Sequence, residues 1–250
     1  MKRRVIVDLG CALVVLAAAT SLFGQADAEF AKANQEFGAG RFKEAVSEYE
    51  AIARSGQWSA NLFYNLGNAC FRAGDFGRAV LNYRRALALD RHHPEAEANL
   101  RITRDQARAL ELSAPPAERM LRFATANQFA VAAAVAFWIA ALAVVRLLLA
   151  PWRAVGAMTL SIFFLLIFGG AAFAAYELEN GTSGKDAAVI IGSEVEARVA
   201  TADTAHAVLA LPPGSEIRIL STRGEWIYAA LPNNLRGWLP ATSVERVRPL

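Results

Sequence analysis

Cysteine, histidine and net charge are all scarce in this chain. Its 250 residues hold 2 cysteines and 3 histidines, and 26 Lys and Arg nearly balance 23 Asp and Glu for a formal net charge of +3. Each shortage removes a class of function. Cys11 lies inside an apolar N-terminal run, with Asp8 three residues before it, a poor context for lipid attachment. If that run is removed, Cys70 stands alone and an intrachain disulfide is excluded, so stability rests on packing. Cys70, between Ala69 and Phe71 in a helical stretch, is expected as a small buried apolar residue, the alternative being a redox-sensing thiol. His92 and His93 are adjacent on a turn, where side chains point apart and chelate poorly, and no third ligand lies near them. His206 follows Asp203, but no serine or cysteine stands in a nucleophile context, and there is no phosphate loop or His-Glu metal helix. An enzyme is therefore not expected, nor a metal or other cofactor. Small net charge without a basic stripe interleaved with aromatics excludes nucleic acid as a partner.

What the chain has in excess is apolar length. Its hydrophobic share is 55%, against ~45–50% in soluble chains. A membrane-spanning helix takes roughly 20 apolar residues at about 1.5 Å each. Residues 129–150 and 154–176 both reach that length, so two transmembrane helices are expected, joined by a turn at 151–153. Neither run carries an Asp, Glu or His, which argues against a proton or ion path. Gly156, Ala157, Gly169 and Gly170 permit close helix packing, within the hairpin or with a partner. Arg146 can snorkel toward Arg153, and with Trp152 these residues are interface anchors. Before the first run, Ser113-Ala114-Pro115-Pro116 stops a helix, and 117–123 is amphipathic. There Arg119 and Arg122 would meet headgroups while Met120, Leu121 and Phe123 face the apolar boundary; the alternative is a solvated turn of helix. Residues 1–28 read as a secretory signal, with Lys2-Arg3-Arg4, an apolar stretch over 9–22 and Ala26-Asp27-Ala28 for cleavage. An uncleaved anchor is the alternative, and either exports Glu29 onward. The expectation is a membrane protein with a cytoplasmic turn and both flanking regions on the outer side.

The first flanking region, 29–112, repeats itself. Asn34, Gly40, Phe42, Ala45 and Tyr49 recur as Asn68, Gly74, Phe76, Ala79 and Tyr83, each pair 34 residues apart. That interval is the period of the tetratricopeptide helix–turn–helix. Gly67 and Ala79 are expected where the two helices of one hairpin approach closely, and Gly40 and Gly74 where the first helix ends in a left-handed conformation. Ala33 and Ile52 depart from the pattern in the first copy, and Arg91 follows Asp90 where the pattern favours proline. A third helix from Pro94 to about residue 112 caps the stack. Repeats of this kind bind extended peptides in a concave groove, here with Asn34, Asn65, Asn68, Arg72 and Asn99 as candidate contacts. The alternative is that these asparagines cap turns or bridge repeats. The family's carboxylate clamp needs lysines or arginines where this chain has Phe30 and Glu95, so capture of a C-terminal carboxylate is not implied.

After a linker at 177–186, the pattern over 187–250 changes to short strands. Candidates are 187–191, 194–199, 216–221, 226–230, 237–240 and 244–247, with turns at Pro212-Pro213-Gly214, Arg223-Gly224 and Asn233-Asn234. Strands at this spacing suggest a small all-β barrel. Leu211-Pro212-Pro213-Gly214, Gly224-Glu225-Trp226-Ile227-Tyr228 and Arg236-Gly237-Trp238-Leu239 resemble the turn and tryptophan strands of the bacterial SH3-like family. Trp226, Tyr228 and Trp238 are candidates for a peptide or glycan groove, with a place in the core favoured.

The whole order is a signal, two tetratricopeptide repeats, a linker and interfacial segment at 113–128, two membrane helices and an SH3-like domain. With the run Phe63-Tyr64-Asn65-Leu66-Gly67-Asn68-Ala69 and Asn99-Leu100-Arg101, it resembles the BatE-type proteins of the bacterial aerotolerance operon. The resemblance implies an envelope scaffold or adaptor working beside von Willebrand factor A-domain membrane proteins and a MoxR-type ATPase. A sensor whose SH3-like domain binds cell-wall peptide or glycan, peptidoglycan included, is the alternative.

Overall fold

The structure, a computed structural model, describes residues 28–149 and 154–248. The expected signal, apart from Ala28, lies outside the described residues, as do Cys11 and the turn with Pro151, Trp152 and Arg153.

Five helices build the repeat region: α1 over 28–38, α2 (Phe42–Arg54), α3 (Ala60–Arg72), α4 (Phe76–Leu89) and α5 (Pro94–Ala107). Their ends are set locally. Gly74 takes φ +82° after α3 and Gly40 takes φ +78° after α1, conformations costly for any side chain with a Cβ. The following backbone N–H groups fold back identically, Asp75 to the Cys70 carbonyl at 2.9 Å and Arg41 to the Glu36 carbonyl at 3.0 Å. The Asp75 carboxylate then accepts from the Arg78 N–H and caps α4. At Gly67 an added Cβ would stand 2.7 Å from the Tyr83 ring, which is why α3 and α4 need glycine there. Tyr49, Leu62, Leu66, Val80, Tyr83 and Leu100 fill the seam between the hairpins.

A short helix, α6 (Pro116–Leu121), leads to two long apolar helices, α7 (Ala126–Leu149) and α8 (Ala154–Asn180). Both are long and apolar enough to cross a membrane. They pack along small residues, Ala133, Ala136, Ala140 and Ala143 of α7 and Ala171 and Ala174 of α8, and leave most of their large apolar side chains exposed. Gly156, Gly169 and Gly170 do not make the close contacts within the hairpin: a Cβ on any of them would touch nothing within 4 Å. Helix α7 starts three residues before the apolar run because Thr125 and Gln128 form a reciprocal cap, each side chain accepting from the other's backbone N–H at 3.1 and 2.8 Å. Helix α8 continues past Tyr176, where the Asn180 amide donates to the Tyr176 carbonyl.

The C-terminal region is a seven-stranded antiparallel sheet: β1 (Ala187–Ile190), β2 (Val195–Arg198), β3 (Ala207–Leu211), β4 (Glu216–Arg223), β5 (Trp226–Ala230), β6 (Arg236–Pro240) and β7 (Val244–Arg246). Its order is β3-β2-β6-β5-β4-β1-β7. The sheet is open, with β3 and β7 at its edges, and so differs from the closed barrel expected. The β7 edge has three residues and leads into Val247, which is buried among the repeat helices, so helix covers what barrel closure would pair. Strand β3, absent from the sequence expectation, pairs with β2 across a bulge between Ala197 and Arg198.

The sheet and the repeats share a core. All four residues of β1 are buried. Ala187 and Val189 pack with the repeat helices, while Ala188 and Ile190 pack with Ile217, Ile227 and Leu239 inside the sheet. Gly77 on α4 lets the strand backbone approach, since a Cβ there would meet the Ile191 Cα at 2.9 Å. Ion pairs frame the contact. Glu216 is held by Arg84 at 3.0 Å and by Arg104. Arg85 donates to Glu245 at 2.7 Å and to the carbonyls of Arg246 and Val247.

Candidate protein-binding groove

Helices α1, α3 and α5 line the inner side of the repeat stack, and their asparagines form a ladder. The Tyr49 hydroxyl donates to Asn34 Oδ1 at 2.6 Å, and Asn65 Nδ2 donates to the same oxygen at 3.3 Å. One repeat on, the Tyr83 hydroxyl donates to Asn68 Oδ1 at 2.8 Å and Asn99 Nδ2 at 2.9 Å. Each oxygen is thus used twice, once within a hairpin and once to the next. That leaves the Nδ2 of Asn34 and Asn68 and the Oδ1 of Asn65 and Asn99 as the donors and acceptors a peptide backbone can engage. Burial pushes the Tyr49 phenol up to about 12 and Tyr83 up as well, so both stay protonated donors through the physiological range.

At one end of the groove Phe37, Phe71 and Ile102 surround Asn68, Arg72 and Asn99 in a cleft of about 220 Å³. The Arg72 guanidinium lies 4.6 Å above the Phe42 ring, which fixes it at the rim. At the other end, a cleft of about 510 Å³ lies between Phe30, Tyr64, Asn65 and the α4–α5 turn. Apolar floor and paired amides together suit an extended segment. A third cleft, of about 430 Å³, opens between α2, α4 and β7. There Arg54 and Arg78 are matched by Glu50 and Arg85 by Glu245, so its charges largely satisfy one another.

The remaining expected residues fall in three places. Arg119 is exposed on α6 and Arg146 is exposed on α7. Arg122 is engaged within the protein, donating to Glu118 at 2.9 Å, Thr182 at 3.1 Å and Ser183 at 3.3 Å, which ties the start of α7 to the end of α8. Trp226, Tyr228 and Trp238 are not in the core: they sit half-buried on the opposite face of the sheet from Ile227, Ala229 and Leu239, with the Tyr228 and Trp238 rings 5.0 Å apart. Strand alternation puts Trp226 and Tyr228 on one face, but the core face was the other.

Sequence reasoning missed Glu118, which is 2% exposed. It accepts from the Thr182 N–H at 2.9 Å and the Thr182 hydroxyl at 2.7 Å. Burial works to raise its carboxyl, but these bonds and Arg122 prevail and hold it below the ordinary carboxylate value. Its i,i+4 spacing to Arg122 is visible locally, but the partner that buries it, Thr182, lies beyond the helical hairpin. Cys70 is fully buried, and burial pushes its thiol up to about 12, leaving almost no thiolate to react. Among the described residues no cluster of three His, Cys, Asp or Glu is placed to hold a metal ion.

Residues 60–93, covering α3, α4 and the turn into α5, match the tetratricopeptide repeat family. No curated protein matches the chain. The repeat supports a protein–protein interaction role.

Proposed function

We propose that this protein is a membrane-anchored scaffold whose repeat groove holds an extended segment of a partner. The observation that carries the proposal is the groove across α1, α3 and α5, where exposed Ile102 and half-buried Phe37 and Phe71 lie beside amides left over from the asparagine ladder. Helices α7 and α8 supply the anchor, because so much exposed apolar surface is sustained by lipid and not by water. The resemblance to the BatE-type family supplies the setting. There the chain sits in a bacterial inner membrane with both flanks outside, among von Willebrand factor A-domain membrane proteins and a MoxR-type ATPase, in an aerotolerance or stress response.

The test is a photo-reactive residue at position 71 in the full chain in its native membrane. We expect adducts with a membrane-associated protein that vanish when Ile102 is also changed to Asp. Labelling that ignores Ile102→Asp would remove the groove from the proposal.

A second reading draws on the outward aromatic face. Trp226, Tyr228 and Trp238 offer a platform of the SH3-like kind for cell-wall peptide or glycan. Sedimentation of the detergent-solubilised protein with purified peptidoglycan tests it. Equal sedimentation of wild type and Trp226→Ala/Trp238→Ala would exclude this face.

A further inference from the structure

We infer that one end of the repeat groove opens at the bilayer surface and takes a lysine- or arginine-bearing segment adjoining the membrane span of a partner protein. The inference rests on the groove and the membrane anchor proposed above, and adds the chemistry and location of the occupant.

Location follows from Arg91, the residue that replaces the proline usual after the aspartate of the repeat. Its guanidinium donates to the carbonyls of Arg122 and Ala124, the latter at 3.2 Å. Helix α7 begins at Ala126. The α4–α5 turn is therefore fastened to backbone within two residues of the first long apolar helix. Beside it, Met120 and Phe123 are 79% and 80% exposed, a pair of large apolar side chains suited to the headgroup boundary. The larger cleft of the groove is built on this same turn, through Asp90, His93, Pro94 and Glu95.

Chemistry follows from charge. No lysine or arginine lines this cleft, whose carboxylates are Asp90 and Glu95. Asp90 caps its own turn, accepting from the His92 N–H at 3.0 Å, and forms no ion pair among the described residues. Glu95 approaches His93 Nδ1 at 3.2 Å. That nitrogen also accepts the Ala96 N–H at 3.3 Å, and Glu95 pairs with no lysine or arginine among the described residues. Phe30 and Tyr64 offer ring surface for the alkyl stem or the cationic head of a basic side chain. Where a carboxylate clamp would place cations, this groove presents an aromatic ring, Phe30, and an acid, Glu95. Opposite charge then favours a basic segment and repels an acidic one.

The test uses the full chain in phosphatidylcholine nanodiscs and a labelled eight-residue peptide of alternating lysine and leucine, anchored by an N-terminal palmitoyl group. Extended, such a peptide spans about 27 Å. We expect saturable binding that weakens about tenfold in Asp90→Lys/Glu95→Lys and about threefold in the charge-neutral Asp90→Asn/Glu95→Gln. We also expect weakening with added salt. The same peptide without palmitate should bind at least tenfold more weakly, and one with glutamate for lysine should not bind. Loss of less than twofold in the charge-reversed variant, or equal binding of the glutamate peptide, overturns the inference. If Phe71→Asp abolishes binding while the Asp90 and Glu95 variants do not, this inference falls and the groove stands; if none of the three matters, the groove falls as well. Palmitate-independent binding overturns the placement at the bilayer.

Discussion

The Tyr83 ring fills the space a side chain at position 67 would need, and its hydroxyl reaches across to Asn68. One residue thus sets both the spacing of α3 and α4 and the position of a groove amide. Gly67→Ala should force that ring aside and destabilise the protein by about 1–3 kcal/mol. The measure is the shift in denaturation midpoint. Asn68 should lose its geometry at the same time, so any bound segment should weaken along with stability. Types of residue were legible here: glycine and tyrosine recurring at one interval mark a close-packed helical hairpin. The pairing of Asn34 with Asn65 was not, because it joins residues 31 positions apart on separate helices, outside any local spacing.

At the scale of elements, the β1 strand is the hinge of the architecture, with a repeat helix on one side and its own sheet on the other. Its sequence, Ala187-Ala188-Val189-Ile190, lacks the polar alternation of a half-exposed strand. That pattern signals two-sided burial but cannot say what covers the second side. Strand β3 was illegible for a related reason: Ala207–Leu211 is apolar without alternation, yet lies half-exposed at a sheet edge. Gly77→Val should push β1 away from α4 at a cost of about 1–3 kcal/mol. Limited proteolysis should then cut faster within residues 181–186, where Gly181, Thr182 and Gly184 are buried in the wild-type chain.

The α6–α8 clamp responds to acid. The Glu118 carboxyl is held below its unfolded value, so its contribution is fully present above the ordinary carboxylate pKa and is lost as pH falls through the depressed folded value. Protease sensitivity at 181–186 should therefore rise as pH falls below the ordinary carboxylate range. Glu118→Gln should flatten that acid dependence while lowering stability at neutral pH.

For the whole molecule, the two regions flanking the apolar hairpin share one core. Arg122 and Thr182 are hydrogen-bonded at 3.1 Å, so the two ends of the hairpin meet. A chain with residues 124–178 replaced by a short Gly-Ser linker should therefore be soluble and unfold in a single cooperative transition. Two separate transitions would show that the sheet and the repeats are independent. The order of segments was legible from composition alone, because lipid-length apolar runs and a 34-residue period survive in one dimension. That the outer segments share a core was not, since the strand completing the repeat core follows the helical hairpin by sequence.

This shared core bears on how the chain is threaded. Strand β1 is made only after α7 and α8, yet it completes the packing surface of α4, made well before them. With the hairpin in lipid, a chain that lost one crossing would strand β1 and α4 in different compartments, and neither could finish folding. On the membrane anchoring proposed above, burial of Ala187 and Val189 against the repeat helices would act as a parity check on insertion: an even number of crossings would be rewarded by a closed core, and an odd number would leave apolar surface bare for proteolysis.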